Sequence, residues 1–317
     1  MLGDPASREV AVYLPPEYDA GKQTDFPLFV DIAGFTGSGL SHIGWKSFAE
    51  NVPQRLERLV AEERMGPVVV ALPDCFTSLG GNQYINSVAM GQWETFLIDE
   101  MIPAIEKHFR VIASRDGRAV FGKSSGGYGA IVHGLRHSDT WGAIACHSGD
   151  MAFEWVYLPD MPKALNRLAE FDRSIPQFLE HLSTCRKLNG ADFHVLMTLA
   201  MAATYDPDPE AFRGIRLPVD LVTCKRDDER WNAWLAHDPV RLVQRPELQE
   251  NLRSLRGLYI DCGDRDQYHL HYGARQFVKT LEAAGIEHAY EEFDDDHSQV
   301  DYRLDRSLPF LYKSLMS

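Results

Sequence analysis

Short apolar stretches alternate with amphipathic ones over the first 150 residues and again near the C-terminus. The apolar stretches predict strands at residues 10–14, 28–32, 68–72, 119–121, 142–146, 258–262 and 288–293. The amphipathic stretches predict helices at residues 48–63, 93–109, 126–137, 272–284 and 304–315. Strands that alternate with helices in this way form a mostly parallel sheet through right-handed crossovers, so we predict an α/β fold.

The stretch between residues 151 and 255 breaks this alternation. Its amphipathic pieces predict helices at 163–170, 175–188 and 193–203, and the sequence YDPDPEAFRG at 205–214 is rich in turn-forming residues. We therefore expect one core, made of residues 1–150 and 256–317, that carries a mainly helical cap insertion of residues 151–255. Because the insertion directly follows a core strand, it is placed to cover a site at the edge of the sheet.

The sequence Gly-Lys-Ser-Ser-Gly at residues 122–126 lies between a predicted strand and a predicted helix. This G-x-S-x-G pattern is typical of a nucleophile elbow, a strained turn that lifts a serine hydroxyl clear of the sheet. Glycines two positions before and after the serine avoid side-chain clashes in such a turn. We predict that Ser124 is a nucleophile and that the backbone N–H of Ser125, at a helix N-terminus, faces a developing oxyanion.

The same residues also match a phosphate-binding pattern. Residues 117–124 read G-x-x-x-x-G-K-S, the P-loop sequence of nucleotide-binding proteins. In a P-loop the four intervening residues wrap the phosphates, whereas Arg-Ala-Val-Phe here reads as a strand. The elbow is favoured, and a P-loop protein in which Lys123 and Ser124 contact phosphate and Mg²⁺ stays as an alternative from a different class.

A serine hydrolase of this type needs an acid and then a histidine later in the chain, each on a loop after a strand. The LYIDCGDRDQ sequence offers Asp261, Asp264 and Asp266. Asp261 falls inside the strand pattern, and Asp266, furthest out on the loop, is favoured over Asp264. His297 follows the last predicted strand, where a base is required to take the serine proton. The predicted triad is Ser124, Asp266 and His297.

A second oxyanion donor is expected from the loop after an early strand. The glycine-rich sequence DIAGFTGSG at residues 31–39 fits, because Gly34 lets the backbone approach the nucleophile closely. The backbone N–H of Phe35 is the predicted donor, with that of Thr36 as second choice.

The net charge and the spacing of the cysteines limit which classes of partner and which compartment we expect for this protein. The chain of 317 residues carries a formal net charge of −14, which disfavours nucleic acid and anionic membranes as partners. Five cysteines lie far apart without C-x-x-C spacing, which favours free thiols in a reducing compartment, and no leader sequence is visible, so a cytoplasmic protein is expected. The His-x-His spacing of His269 and His271, with aspartates elsewhere in the chain, is not specific to metal binding. No metal site is predicted.

With these residues identified, the chain resembles the Putative esterase family of α/β-hydrolases, which includes enterochelin esterases, esterase D and the mycolyltransferases. The resemblance covers residues 8–150 and 257–315, with landmarks REVAVYLPPEYD, DIAGFTGSG, NSVAMGQWETFLIDEMIPAIEKHF, FGKSSGGYGA, CGDRDQ and DDDHS. It implies an α/β-hydrolase fold, no cofactor, and a triad of Ser124, Asp266 and His297. It also implies Phe35 and Ser125 as the backbone oxyanion donors.

Two features depart from this family. Ala33 stands where the family usually has a histidine that orders the oxyanion loop, and the insertion is larger than simple members carry. Trp155, within the insertion, is predicted to line an apolar acyl or aryl site. Asn82 and Trp93, in the stretch before the elbow, are predicted to face the substrate.

Together these features predict a serine carboxylesterase, a carboxylic ester hydrolase that acts on a small-molecule ester through an acyl-enzyme on Ser124. An alcohol in place of water as acceptor would make it an acyltransferase, and the triad does not distinguish the two. A hydrolase-fold binding protein without turnover is a further alternative, against which a complete triad argues. The sequence leaves a homo-oligomer open.

Overall fold

A mixed sheet forms the centre of the protein, which a computed structural model describes for residues 2–20 and 24–317. The strands are β1 (Val10–Tyr13), β2 (Leu28–Ile32), β3 (Val69–Pro73), β4 (Asn86–Ser87), β5 (Gly91–Gln92), β6 (Arg118–Lys123), β7 (Ala143–His147), β8 (Gly257–Gly263) and β9 (Ala289–Phe293). Seven of them form one sheet in the order β1-β3-β2-β6-β7-β8-β9, and β4 pairs with β5 in a hairpin. Only β1 runs antiparallel within that sheet, so the predicted mostly parallel α/β fold is confirmed.

Helices flank this sheet and fill the connection between β7 and β8. The α-helices are α1 (Val52–Ala61), α2 (Trp93–Thr95), α3 (Ile102–His108), α4 (Ser125–Arg136), α5 (Phe153–Val156), α6 (Met161–Ala169), α7 (Ile175–Thr184), α8 (Gly190–Tyr205), α9 (Asp228–Leu235), α10 (Pro239–Leu242), α11 (Pro246–Arg253), α12 (Leu270–Ala283) and α13 (Leu304–Met316). Short 3-10 helices occur at Pro16–Asp19, Gly39–Ile43, Arg115–Gly117, Leu158–Asp160, Phe212–Gly214 and Val300–Arg303.

The single helix predicted at residues 93–109 is interrupted. A π-helical turn, Phe96–Met101, lies between α2 and α3. Pro103 follows this turn and has no N–H to donate to the carbonyl of Asp99. The regular α-helical hydrogen bonding is therefore broken at this point, and the wider turn accommodates the proline ring.

The central strands send alternate side chains to the two faces of the sheet. Leu28 and Val30 of β2 belong to the apolar cluster that includes residues of α4 and α12, whereas Phe29 belongs to the opposite cluster, which includes residues of α1 and α13. Every residue of β3 is buried, as its uninterrupted apolar sequence predicts. Since helices cover both faces, the loops at the carboxyl ends of the parallel strands are where polar side chains can converge on a ligand.

Between β7 and β8 the chain forms α5 to α11 and adds no strand to the seven-stranded sheet. β7 and β8 nevertheless pair directly, with His147 opposite Asp261. Within this helical segment, the residues of α8 from Val195 to Tyr205 are all buried. A helix that is apolar on every side must pack against neighbours on every side, and α8 contacts α6, α9 and β4.

We expect only two of the five cysteines to react with Ellman's reagent in the native protein. Cys75, Cys146 and Cys262 are buried free thiols, and burial raises the pKa of all three. Cys185 and Cys224 are half-buried. A titration at neutral pH should count at most two thiols before unfolding and five after it. Rapid reaction of three or more thiols in the native protein would contradict this burial.

Candidate active site

The turn between β6 and α4 holds Ser124 with a positive φ of 58° and ψ of −122°. Its N–H donates to the carbonyl of His147 at 2.9 Å. A Cβ at Gly122 or Gly126 would lie 2.3 or 2.0 Å from the carbonyl oxygen of Ile32, so both positions require glycine. A positive φ at a residue other than glycine is strained, and here a buried strand and a buried helix hold the strain in place. This is the backbone of a nucleophile elbow.

The same backbone is incompatible with the P-loop alternative. β6 pairs with β2 on one side and with β7 on the other. The residues that would wrap phosphate groups in a P-loop are therefore extended in the middle of the sheet. Lys123, at the end of β6, is only 30% exposed, with its Nζ 3.8 Å from Oδ1 of Asp301.

Asp266 and His297 form a hydrogen-bonded pair on the loops after β8 and β9. His297 Nδ1 lies 2.7 Å from Asp266 Oδ2. Because a carboxylate can only accept, Nδ1 carries the proton and Nε2 is left to act as a base. The Asp266 side chain is fully buried, and its Oδ1 accepts from the N–H of Tyr268 at 2.8 Å. Asp264, the alternative acid, is exposed beside Arg265.

A second Ser–His–Asp arrangement lies inside the core. His147 Nδ1 is 2.7 Å from Asp261 Oδ1, and its Nε2 is 2.8 Å from Ser307 Oγ. Ser307 lies within α13 with 0% of its surface exposed, so no substrate can reach its hydroxyl. Asp261 also accepts from Arg303 and Tyr259. These bonds satisfy buried polar groups, and we assign the arrangement to stability.

Two backbone N–H groups beside Ser124 are free to donate. The N–H of Phe35 makes no hydrogen bond within residues 2–20 and 24–317, and the N–H of Ser125, the first residue of α4, has no acceptor in its own helix. Thr36, the second choice as oxyanion donor, already donates its N–H to the carbonyl of Gly80 at 2.6 Å. Phe35 and Ser125 are therefore better placed than Thr36 to receive a negative oxygen.

The candidate oxyanion loop, which carries Ala33, Gly34 and Phe35, is held by a tyrosine from another loop. The Tyr84 hydroxyl donates to the carbonyl of Ala33 at 2.5 Å. Tyr84 is buried, and burial raises its pKa well above the usual value, which keeps the hydroxyl protonated for this bond. Gly34 lets the loop approach β6, since a Cβ there would lie 3.1 Å from the carbonyl of Lys123. Ala33 thus needs no imidazole of its own to hold the loop.

One cavity of about 240 Å³ brings these groups together. The core contributes Ser124, His297, Phe35 and Ser125, which are four of the five predicted catalytic and oxyanion residues. The fifth, Asp266, lies behind His297. The helical segment between β7 and β8 contributes an apolar wall of Val156, Tyr157, Phe193 and Met197.

Asp150 is a cavity residue that sequence reasoning missed. It lies in the loop after β7, borders the cavity and is only 7% exposed. Burial raises the pKa of its carboxyl. The signal that identified Asp266, an acid just beyond the end of a core strand, is also present at Asp150 and would have found it.

The structure does not bring Asn82, Trp93 or Trp155 to this cavity. Asn82 is buried, and both ends of its side-chain amide bond backbone groups nearby, at 2.5 Å each, so it orders its own loop. The Trp93 indole donates to the backbone carbonyl of Met90 and borders a different pocket near the N-terminus. Trp155 is 56% exposed on α5, while Tyr157 two residues later faces the cavity.

A second cavity of about 330 Å³ adjoins the first across the oxyanion loop. The two share the lining residues Gly34, Phe35, Thr36 and Lys123. Two polar pairs line the second cavity: His42 Nδ1 is 2.7 Å from Asp31 Oδ2, and Lys46 Nζ is 2.6 Å from Asp301 Oδ2. The Asp31 charge raises the pKa of His42. A polar chamber therefore lies on the other side of the oxyanion loop from the apolar wall.

His269 and His271 are not gathered with a third potential metal ligand among the described residues. Within the described ranges, no group of three or more histidine, cysteine, aspartate or glutamate side chains could hold a metal ion. Burial lowers the pKa of His271. Over the same ranges, no helix is both long enough and apolar enough to cross a bilayer.

Comparison with known proteins finds similar curated sequences and similar solved structures. An esterase of Mycobacterium tuberculosis (strain ATCC 25618 / H37Rv) is 37% identical over 89 residues, which are 26% of this chain and 18% of that protein. An endo-1,4-beta-xylanase/feruloyl esterase of Xylanibacter ruminicola is 28% identical over 166 residues, 49% of this chain and 21% of that protein. The matched regions thus make up about a fifth of these curated relatives.

Among solved structures, a ferulic acid esterase superposes with a TM-score of 0.60 at 21% identity, covering 97% of this chain and 93% of that one. An S-formylglutathione hydrolase from Agrobacterium tumefaciens gives a TM-score of 0.57 at 17% identity, covering 97% and 90%. At these identities the likeness establishes the fold alone, which is the α/β-hydrolase fold. The Putative esterase family matches residues 5–305, nearly the whole chain, and the protein therefore belongs to that family.

Proposed function

We propose that the protein is a serine carboxylesterase that hydrolyses esters of small carboxylic acids through an acyl-enzyme on Ser124. The observation that carries this proposal is the meeting, at one cavity, of an elbow serine with positive φ and a histidine whose Nδ1 is hydrogen-bonded to a buried aspartate. The family match and the esterases among the relatives support the same class of reaction.

In the first step His297 Nε2 takes the proton of the Ser124 hydroxyl as its oxygen attacks the ester carbonyl. Asp266 accepts from Nδ1, fixes this tautomer and stabilises the imidazolium that forms. The carbonyl oxygen becomes negative and is held by the N–H groups of Phe35 and Ser125. His297 then protonates the departing alcohol, which leaves the acyl group on Ser124.

In the second step His297 removes a proton from water, which attacks the acyl-enzyme at the same carbonyl carbon. The tetrahedral intermediate uses the same two N–H donors, and its collapse returns the proton to Ser124 and releases the acid. An alcohol bound in place of water would give acyl transfer instead. The products formed in the presence of added alcohol therefore distinguish the two reactions.

We further propose that residues 151–255 form a cap that selects the acyl group. Tyr157, Phe193 and Met197 from this segment border the same cavity as Ser124. An apolar wall favours an aliphatic or aromatic acyl group, because burial of apolar surface stabilises the bound ester. Two relatives are named for feruloyl or ferulic acid esters, which carry an aromatic acyl group. The polar chamber on the other side of the oxyanion loop suits a polar alcohol as the leaving group.

The proposal is tested by trapping the nucleophile. We expect a fluorophosphonate probe to label the native protein at one serine, and peptide mapping by mass spectrometry to place the adduct on Ser124. Wild-type protein should also hydrolyse 4-nitrophenyl esters, with the profile from acetate to octanoate reporting the size of the acyl cavity. An adduct on Ser125 or Ser307 would contradict the assignment of the nucleophile. Absence of both labelling and hydrolysis would contradict the proposed function.

A further inference from the structure

The carboxyl of Asp150 borders the active-site cavity, and one of its oxygens has no partner. Its Oδ2 accepts from the Tyr157 hydroxyl at 2.9 Å and from the Gln83 amide at 3.1 Å. Its Oδ1 accepts no hydrogen bond from any residue of the described ranges 2–20 and 24–317, although Asp150 is only 7% exposed. Desolvation of a carboxyl is costly unless other groups compensate it, and burial accordingly raises the pKa of Asp150.

The negative charge of Asp150 is not balanced by the protein. Both groups bonded to it are neutral, since burial also raises the pKa of Tyr157 well above its usual value and Gln83 carries no charge. Among the residues that the structure describes, no lysine, arginine or histidine forms an ion pair with Asp150. Lys123, which also lines the cavity, has its Nζ 3.8 Å from Asp301 instead. A neutral donor would satisfy the free oxygen but leave the charge, whereas a bound cation would compensate both.

Aromatic side chains line the cavity that Asp150 borders. They are Phe35, Tyr157, Phe193 and Tyr268. The rings of Phe35 and Phe193 pack edge to face with centroids 5.7 Å apart. The face of an aromatic ring is electrically negative and attracts an organic cation within about 6 Å of its centre. A buried carboxylate combined with several rings therefore favours a ligand that carries an ammonium group, and the net charge of −14 attracts such ligands from solution.

The side chains that hold Asp150 are fixed by other buried groups. The Tyr157 hydroxyl also lies 3.2 Å from the Tyr205 hydroxyl. The Gln83 amide nitrogen, besides its bond to Asp150, lies 3.0 Å from the Oγ of Ser125, the residue after the nucleophile. The carboxyl is therefore held at a set position relative to the reacting serine, so a cation bound to it would lie at a defined distance from the ester carbonyl.

We propose that Asp150 is a substrate-binding residue that pairs with a positively charged amino group on the acyl chain of the ester. This inference rests on the proposed function, because it requires Ser124 to carry that acyl chain. A cavity of about 150 Å³ is known to hold benzene, so the volume of about 240 Å³ here admits a short aminoalkyl chain. The substrate class is then the esters of amino acids whose amino group is free.

Matched ester pairs test this assignment. Each pair replaces an ammonium group by a methyl group of similar size. The pairs are methyl glycinate with methyl propanoate, methyl 3-aminopropanoate with methyl butanoate, and methyl 6-aminohexanoate with methyl heptanoate. The three lengths vary the reach of the charge from the carbonyl. At about pH 7 most of these amino groups are protonated.

An ammonium group close to the carbonyl also activates an ester, so each kcat/KM is divided by the uncatalysed rate of hydrolysis of the same ester in the same buffer. After this correction, we expect wild type to prefer the ammonium member of at least one pair by about 10- to 100-fold, the range of a hydrogen bond to a charged group. This preference within a pair is the quantity that the variants are expected to change.

Two aspartates offer the same change of charge inside and outside the cavity. Asp150→Asn keeps the size and an acceptor oxygen for Tyr157 and Gln83, and it should lower the preference to about one or below. Asp150→Ser, a second neutral replacement, should do the same. Asp264→Asn removes a charge from an exposed residue and should keep the wild-type preference. An effect of Asp150 on folding or on His297 alone would act on both members of each pair and leave their ratio unchanged.

The possible failures are distinguishable. A wild-type enzyme that hydrolyses 4-nitrophenyl acetate but prefers no ammonium ester overturns the role of Asp150 alone, without reference to any variant. A preference that persists unchanged in a folded Asp150→Asn or Asp150→Ser protein also overturns it, since another group would then hold the cation. A wild-type enzyme inert toward 4-nitrophenyl acetate and unlabelled by a fluorophosphonate overturns the proposed function, and this inference with it.

Discussion

Replacement of Ser124 by alanine is expected to lower kcat for 4-nitrophenyl acetate by about 10⁶-fold, the loss seen when the serine of a triad is removed. The variant cannot form an acyl-enzyme, and His297 can then only assist direct attack by water. The oxyanion N–H groups remain, so hydrolysis about 10³- to 10⁴-fold above the uncatalysed rate should persist. Steady-state kinetics on the purified variant, together with loss of fluorophosphonate labelling, measures this effect.

The matched control is Ser307→Ala, which removes the other serine bonded to a histidine. Because Ser307 is fully buried, its loss should leave kcat within a factor of about two and lower the free energy of unfolding by about 1–3 kcal/mol, since His147 loses a partner in the core. Urea denaturation followed by circular dichroism reports the second quantity. A large loss of kcat in Ser307→Ala with retained stability would reverse the assignment of the two sets.

The second large effect is expected for Asp266→Asn, with a decrease of about 10⁴-fold in kcat. An asparagine amide in place of the carboxylate can donate to His297 Nδ1, which favours the tautomer whose proton sits on Nε2. That tautomer cannot accept the proton of Ser124. The side-chain volume is nearly unchanged, so the thermal midpoint should move little, and the loss should appear in kcat for every ester tested.

Asp264→Asn serves as the control for the acid. Asp264 lies two residues earlier on the same loop, is exposed and has no bond to His297. Its substitution should change kcat by no more than about twofold, since surface changes away from a hydrogen-bond network have small effects. If the Asp264 variant lost activity and the Asp266 variant kept it, the acid would have to be reassigned.

The core elements were predictable because their side chains repeat with the period of the structure they form. Residues 28–32 predict β2 to the residue, and the apolar run at 68–72 predicts β3 within one. The hydrophobic pattern of a segment does not indicate whether its strand runs parallel or antiparallel to its neighbour. The antiparallel pairing of β1 with β3 is therefore seen only in the structure. α9 to α11 were not predicted either: each spans eight residues or fewer, too short for a periodic pattern to stand out.

Catalytic candidates were easier to predict than substrate contacts, for a physical reason. The order of serine, acid and histidine along the chain follows from the loops after parallel strands, so Ser124, Asp266 and His297 could be named without coordinates. Whether an aromatic residue faces a cavity depends on how helices pack, which a sequence does not specify. The sequence predicts that Trp155 lines the site, yet Tyr157 borders the cavity, because a side chain two positions further along a helical turn points in a different direction.

The connection between β7 and β8 leaves the sheet at one strand and returns at its direct neighbour. The number of residues in this connection is therefore not restricted by the sheet, because β7 and β8 stay paired with each other whatever lies between them. The helical segment that borders the active-site cavity can therefore be lengthened, shortened or exchanged by recombination while the strands that precede Ser124 and Asp266 keep their register. In this architecture, substrate range can diversify faster than reaction chemistry.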